Sequence, residues 1–322
     1  MQRIDNLRCY PQPLTAHFTH PNRDTVNAYE LCYLAERVVD PIQSHSDTVR
    51  AKLVNIRILG HLLSQSGLLS ETAISKVAQD IISCREESMA NDETQAEALV
   101  NLGAVYKDVL LRPFHKSKRQ IPDVSSPGSI NVSSPSSKSD EESSSSSIRA
   151  SPVSWASFKL AEDEAKHRED HRCIATRILD LPFAEGLHSQ TGEFYAGDVS
   201  CLRLCHIFPE LAPEAVDTAS SDSDGVYSLE NVMMVTPDLR ARFDVLSLWF
   251  EPIEDVPNRY RLCSPWVPPN GLRAGQEITF QSTDPRLALP NREFLAVHAA
   301  CCRVTHLSGA FGLLGSFEVD LD

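Results

Sequence analysis

The sequence lacks any long apolar run. No stretch approaches the roughly 20 consecutive apolar residues that a helix needs to cross a bilayer. The first residues, MQRIDNLRCYPQPL, also lack the continuous apolar segment of a secretory signal peptide. The 322 residues are enough for two domains. We therefore expect an intracellular protein, in the nucleus or the cytoplasm, that does not contact a membrane.

Cysteine pairs with C-x-x-C spacing are also missing. The nine cysteines are scattered, and none forms a C-x-x-C pair. In a chain without a secretory signal, an odd number of scattered cysteines indicates free thiols, most of them buried. Cys201, Cys205 and the adjacent Cys301 and Cys302 could bind a metal if the fold gathers them, but their spacing is poor for that role.

Positive charge is scarce in the second half of the chain. The formal net charge is −14, and from residue 151 onward 14 Lys and Arg residues stand against 26 Asp and Glu residues. A protein that binds nucleic acid through its phosphates needs the opposite sign. This balance argues against tight nucleic-acid binding by that part, unless a metal or another segment compensates.

The first third of the chain has helical periodicity. Residues 1–23 are irregular and contain three prolines, whereas residues 24–115 show four apolar stripes at helical spacing. Ser46 or Asp47 caps the second stripe, and Gly67 reads as the residue that ends it. We expect four helices that form a small bundle, or an arm around the second domain, with a surface available to a protein partner.

The segment 116–150 is different in composition. It is rich in serine, with proline and acidic residues, and cannot bury enough apolar surface to offset chain entropy, so we expect a disordered linker. The basic run HKSKRQ at 115–120 is compatible with an import signal, a phosphate contact or a solvated helix end. The serines are compatible with phosphorylation or with a simple spacer.

Residues 151–322 alternate short strands and short helices. A strand and a turn are predicted around Cys173, and further strands are predicted up to His206, over 232–235, and within 246–253 and 259–266. Pro237 should open a short helix, and a closing helix should run from 292 to Gly309. With the helical first part, this makes the fold class α+β.

The order histidine, asparagine, short helix is typical of a ββα-metal nuclease site. In such a site a strand supplies a neutral imidazole that takes a proton from water. The following helix supplies metal ligands, and the metal neutralises charge on the phosphate. An asparagine in the intervening loop can hold that loop through its amide. His206, Asn231 and the helix that begins at Pro237 stand in this order.

Residues 171–245 resemble the HNH nuclease family, and more closely the fungal proteins that carry an HNH domain after a helical region. HRCIATRILD (171–180) is similar to the opening R-C-x-x-T-G strand, with Arg177 in place of the glycine. CHIFPE (205–210) is similar to the strand that carries the base. SLENVMMVTPDLRARFD (228–244) is similar to the asparagine segment and its D-L-H-x-x-F-D helix.

The resemblance implies a role for each matching residue. His206 falls on the general base and Asn231 on the structural asparagine. Arg240 replaces the metal-binding histidine, while Asp244 and Cys205 fall where weak additional ligands would lie. The family hydrolyses phosphodiesters of DNA or RNA with a divalent metal, here Mg²⁺ or Zn²⁺. His206 and Arg240 should then face one small cleft.

Arg240 makes the activity an open question, because a guanidinium stays protonated and cannot coordinate a cation. One alternative is an inactive fold that serves as an interaction module, with the helical region as its partner-binding surface. A second is an altered nuclease in which Cys205 and Asp244 rescue the metal site, although a thiolate favours zinc over magnesium. A third is that Arg240 pairs with Asp244 and holds a phosphate without metal.

Overall fold

The computed structural model describes residues 10–39, 46–87, 91–116, 152–208 and 227–314. Within these ranges the chain is a mixed α+β protein with small sheets, as its sequence predicts. The predicted disordered linker lies outside the described residues except for its first residue, Lys116. None of the described helices is long and apolar enough to cross a membrane.

Four long helices form the first part, in agreement with the four apolar stripes. They are α1 (Arg23–Val39), α2 (Asp47–Leu63), α3 (Glu71–Glu87) and α4 (Asp92–Tyr106); a short π-helical segment (Lys107–Leu111) and α5 (Arg112–Lys116) continue α4. Side-chain oxygens satisfy amides that a helix start leaves unpaired. Ser46 accepts a bond from the amide of Val49, as predicted, and Asn91 does the same for α4.

The second part has one long helix at each end. Its elements are α6 (Pro152–Arg168), β1 (Leu179–Asp180), α7 (Leu181–Thr191), β2 (Val199–Ser200), β3 (Arg203–His206), β4 (Val232–Val235), α8 (Pro237–Asp244), β5 (Trp249–Pro252), β6 (Arg259–Cys263), β7 (Glu277–Thr279), α9 (Arg292–Ser308) and α10 (Phe311–Leu314). Strands β1 and β2 pair in parallel. The antiparallel pair β3–β4 and the antiparallel sheet β5–β6–β7 are separate.

Two apolar cores hold these elements. One lies between α1–α4, α9 and β5, and the other surrounds β3, β4 and α8 and reaches β6 and β7. Helix α9 contributes to both cores, because Ala299 and Cys302 belong to the first and Leu295 belongs to the second. The predicted border between the two parts is therefore crossed by packing, and α9 connects the helical part to the β3–β4–α8 region.

His298 of α9 shows how this connection is made. Its ring stacks on Phe243 of α8 with centroids 3.7 Å apart, and the Phe243 carbonyl oxygen lies 3.3 Å from its Nε2. The ring of Phe114, from α5, meets His298 edge-on at 5.4 Å. The sequence predicted packing or surface roles for His298 and His306, and both are buried side chains in the described structure.

One expectation for local structure is wrong, one holds only in part, and two elements were missed. Helix α2 ends at Leu63, and its C-cap residue is Ser64. The cap was predicted three residues later, at Gly67. The strand and turn predicted around Cys173 are present as a turn over 174–176 and the strand β1, which holds only two residues. Helix α7 and strand β7 were not predicted, although Pro182 in the first turn of α7 and Gly192 at its end, with φ 75°, are ordinary helix signals.

Candidate functional site

The candidate site is built by β3, β4 and α8, which follow the order strand, strand, helix. In the antiparallel pair, His206 stands opposite Val232 at the end of β3. All four residues of β4 are buried, and α6 packs against this strand within the second core. Pro237 then begins α8 in the first-turn position, as predicted, where its missing N–H costs no hydrogen bond.

Asn231 fixes the chain that follows His206. Its side-chain Oδ1 accepts a bond from the amide of Phe208 at 2.9 Å, and its Nδ2 donates to the Phe208 carbonyl at 3.2 Å. The amide of Ile207 also donates to the Asn231 carbonyl at 2.8 Å. The asparagine is buried, and its amide is used as donor and acceptor, as the sequence predicted for a residue that holds this loop.

A buried ion pair lies behind Asn231. The guanidinium of Arg168 donates to the carbonyl oxygens of Leu229 at 2.7 Å and Val232 at 2.8 Å, which flank Asn231. It also pairs with Glu169, whose Oε2 accepts the amide of Met234 at 2.9 Å. Burial raises the pKa of Glu169 to about 7, and the Arg168 charge opposes that rise. The pair therefore holds both ends of the segment that carries Asn231.

His206 is partly buried at the end of β3. Its Nε2 is buried and has no hydrogen-bond partner among the described residues, and the ring of Tyr227 meets it edge-on at 5.5 Å. Burial lowers the pKa of His206 to about 4, and the positive charge of Arg240 lowers it further in the same direction. The imidazole is therefore neutral at physiological pH, as a general base must be, and Arg240 is close enough to act on it.

Arg240 and Asp244 form an ion pair on α8. The Nε of Arg240 donates to Oδ2 of Asp244 at 3.3 Å, across one helical turn, with 15% and 12% of their side chains exposed. The thiol of Cys205 lies 3.7 Å from the other carboxylate oxygen of Asp244. Burial, followed by the charge of Asp244, raises the pKa of the Cys205 thiol well above its usual value, so that it stays protonated.

The five residues that the sequence singled out are thus adjacent, but they do not fit a divalent metal. Arg240 brings a fixed positive charge to the ligand position, and Asp244 is already bonded to it. Cys205 has a protonated thiol, and only a thiolate binds metal well. In the described ranges, no group of three or more His, Cys, Asp and Glu side chains is placed to hold a metal ion.

The other cysteines named as conditional ligands lie elsewhere. Cys201 is exposed ahead of β3, and Cys301 and Cys302 are buried in α9. Of the cysteines in the described residues, six are buried, which agrees with the predicted free thiols.

Two parts of the site were missed from sequence. Nothing in the sequence singles out Arg168 and Glu169, because charged residues are almost never fully buried unless they are paired. Tyr227 has no distinguishing pattern around it. Arg177 did carry a signal, because it replaces a glycine of the similar motif, and its φ of 61° lies in the left-handed region that favours glycine.

Comparisons with known proteins add no relative. No protein-family model matches the chain, and neither a curated protein nor a solved structure matches it. The structure therefore shows a mixed α+β protein with a strand–strand–helix site. A proposal for its function has to be argued from the residues of that site.

Proposed function

We propose that β3, β4 and α8 form an HNH-nuclease-like unit that has lost metal-dependent phosphodiester hydrolysis and serves as an interaction module. One observation carries the proposal. Arg240 stands where the family has its metal-binding histidine, and its Nε donates to Asp244, the nearest carboxylate. A divalent ion there would meet the guanidinium's positive charge and would compete with it for that carboxylate.

Three features support the likeness to HNH nucleases. A histidine ends the first strand of an antiparallel pair, and a short helix follows the second strand directly. Asn231 bonds the backbone just after that histidine, the role of the family's asparagine. Arg177 has a positive φ at the position of the family's glycine. These features concern the architecture of the unit. Whether the unit can bind a metal depends on the residues at the ligand positions.

The charges of the site and of its surroundings favour loss of activity. Neither Cys205, with its protonated thiol, nor Asp244, with its ion pair, is ready to bind Mg²⁺. The excess of acidic residues from 151 onward also disfavours a DNA or RNA substrate. A fold can persist after its chemistry is lost, because function resides in the site.

The alternative is a metal-dependent endonuclease in the nucleus or cytoplasm. It is favoured by one observation, the neutral His206 with a buried Nε2 that has no partner among the described residues, which is the state of a general base awaiting its water. In that case Asp244 would have to give up its bond to Arg240, and Cys205 would have to lose its thiol proton, before these two side chains could hold Mg²⁺ or Zn²⁺. His206 would then activate water for attack on a phosphodiester of DNA or RNA.

For the interaction module, the helical part offers a surface to a protein partner. Leu34 of α1, Val105 of α4 and Val109 of the π-helical segment are large apolar side chains that are 49%, 55% and 70% exposed. Side chains of this type at a surface are suited to contact another protein, although single exposed ones are common. Substituting each with serine and measuring the capture of a binding partner by the purified chain tests this part.

Plasmid nicking with added Mg²⁺, Mn²⁺ or Zn²⁺ tests the proposal. The wild-type chain should not nick DNA above the level of its His206→Ala variant. Arg240→His should gain divalent-metal affinity, because a neutral imidazole replaces a cation. Arg242→His, on the same helix, is the matched control and should gain none. Wild-type nicking that needs metal and disappears in His206→Ala would establish the alternative.

A further inference from the structure

We infer that Arg240 and His206 form a metal-free binding site for a single phosphate group. This deepens the proposed function and rests on it, because the site must be without a metal for Arg240 to occupy it. The expected ligand is a small compound that carries a phosphate group, and not the backbone of a nucleic acid.

The donors of Arg240 are the first observation. A guanidinium carries five N–H groups, and in Arg240 the Nε–H is directed to Asp244. The terminal nitrogens have no bond to any of the residues that the structure describes. Arg240 is mostly enclosed, with 15% of its side chain exposed. Terminal guanidinium nitrogens fit two oxygens of a phosphate at once.

His206 supplies the second observation. Its Nε2 is a buried polar atom without a partner among the described residues, and buried polar atoms in native structures almost always have one. Since the ring is neutral, the tautomer that carries its proton on Nε2 can donate a hydrogen bond. One oxygen of a ligand held by Arg240 would satisfy this atom.

The fixed bonds around the site keep these two groups in place. Asp244 holds the Nε of Arg240, so that the guanidinium is oriented before a ligand arrives. Asn231 bonds the backbone of Phe208 just beyond His206. A rigid arrangement of donors binds an anion without the entropy cost of ordering them.

Charge limits the size of the ligand. Asp244 offsets the charge of Arg240 and His206 is neutral, so the site itself attracts a single phosphate only moderately. The 26 acidic residues after position 151 repel a polyanion that would lie across the surface. Phosphate oxygens are arranged tetrahedrally and can meet Arg240 and His206 from different sides, whereas the two oxygens of a carboxylate lie in one plane.

Calorimetry of the full chain with inorganic phosphate, in the presence of EDTA, tests the inference. We expect one phosphate per chain, and weaker binding of acetate. Arg240→Met should weaken the affinity for phosphate by about tenfold or more, the loss of one bidentate contact. Arg242→Met is the matched control, because Arg242 lies on the same helix but donates to the Val267 carbonyl, and its affinity should stay within about twofold of wild type.

A second measurement needs no variant. The side-chain nitrogen resonances of His206 should shift as phosphate is added to the wild-type chain, and those of the distant, buried His61 should not. Absence of phosphate binding, equal loss in both arginine variants, or an unmoved His206 resonance would overturn the inference. Metal-dependent nicking of DNA by the wild-type chain would overturn the proposed function and the inference with it. Absence of both phosphate binding and nicking would overturn the inference and leave the proposed function standing.

Discussion

Arg240 Nε lies 3.3 Å from Oδ2 of Asp244, one turn later on the same helix, and both side chains are largely enclosed. This relationship turns a residue that could ligate a metal into the partner of a fixed cation. It also holds the guanidinium beside His206, whose pKa it lowers.

The Arg240–Asp244 pair should contribute measurably to stability. Arg240→Met should lower the free energy of unfolding by about 1–3 kcal/mol, because Asp244 loses its counter-charge in an enclosed setting. Adding Asp244→Asn should recover part of the loss, which a double-mutant cycle with urea denaturation measures. The exposed pair Arg259–Glu277 is the control, with an expected coupling below about 0.5 kcal/mol. Strictly additive effects at Arg240 and Asp244 would contradict this view of the pair.

Asn231 should be important for the chain that carries His206. Asn231→Ala removes a donor and an acceptor from the backbone of Phe208 and should cost about 2–3 kcal/mol in unfolding free energy. The amide of Phe208 should then exchange with solvent much faster, as hydrogen exchange would show. Asn101→Ala changes an exposed residue of α4 and should be close to neutral or slightly stabilising. Slow exchange at Phe208 in Asn231→Ala would mean that other bonds hold this segment.

Acid should destabilise the protein through its buried histidines. Burial lowers the pKa of His298 to about 3, from an unfolded value of 6.5, and its bond to the Phe243 carbonyl opposes this only in part. Between these two pH values the unfolded chain binds the extra proton, so stability is complete above pH 6.5 and falls as the pH drops toward 3. The contribution of one such histidine approaches about 1.4 kcal/mol per pH unit.

His298→Gln should remove this contribution. The variant should be less stable than wild type at pH 7.5, and the difference should shrink as the pH falls from 6.5 to 4.5 in urea denaturation at each pH. His61, with a pKa lowered to about 4 by burial, acts in the same direction and keeps part of the acid sensitivity in the variant. A stability difference that stays constant over this range would contradict a neutral, buried His298.

Helices α2 and α4 approach closely enough to require a glycine. A Cβ on Gly103 would lie 2.1 Å from the backbone oxygen of Asn55, which is far inside van der Waals contact. Gly103→Ala should therefore lower the unfolding free energy by about 1–3 kcal/mol or more. Gly186→Ala in α7 is the control, because nothing lies within 4 Å and alanine has the higher helix propensity. A neutral Gly103→Ala in thermal or urea denaturation would mean that the two helices can separate.

Local signals predicted much of the fold. The serine cap of α2, the proline that opens α8, the strands β5 and β6 and the glycine that ends α9 all follow from residue types whose preferences act within one turn. The predicted end of α2 was wrong because Ser64 and Gln65 already satisfy the carbonyls of His61 and Leu62 before Gly67 is reached. Strand β7 was missed because three residues give too little periodicity to read.

The sequence predicted which residues lie in the site, but it did not decide which of their charges are paired. The order of His206, Asn231 and Arg240 indicated their proximity, which depends on the pairing of β3 with β4 and on the helix that follows β4. The sequence offered the Arg240–Asp244 pair as one of three alternatives, because the two residues lie one helical turn apart. It could not show that Asp244 also contacts the Cys205 thiol, because that contact depends on side-chain packing between β3 and α8. It gave no sign of the buried Arg168, whose bonds are made to carbonyls more than 60 residues away.

Divalent-metal affinity of the wild-type chain, measured by calorimetry with plasmid nicking on the same samples, tests the central claim most directly. The claim is that Arg240 excludes the metal from an HNH-like site. We predict no Mg²⁺, Mn²⁺ or Zn²⁺ bound at that site and no metal-dependent nicking by wild type, with metal affinity gained in Arg240→His. Metal binding by wild type, together with nicking that His206→Ala abolishes, would contradict it.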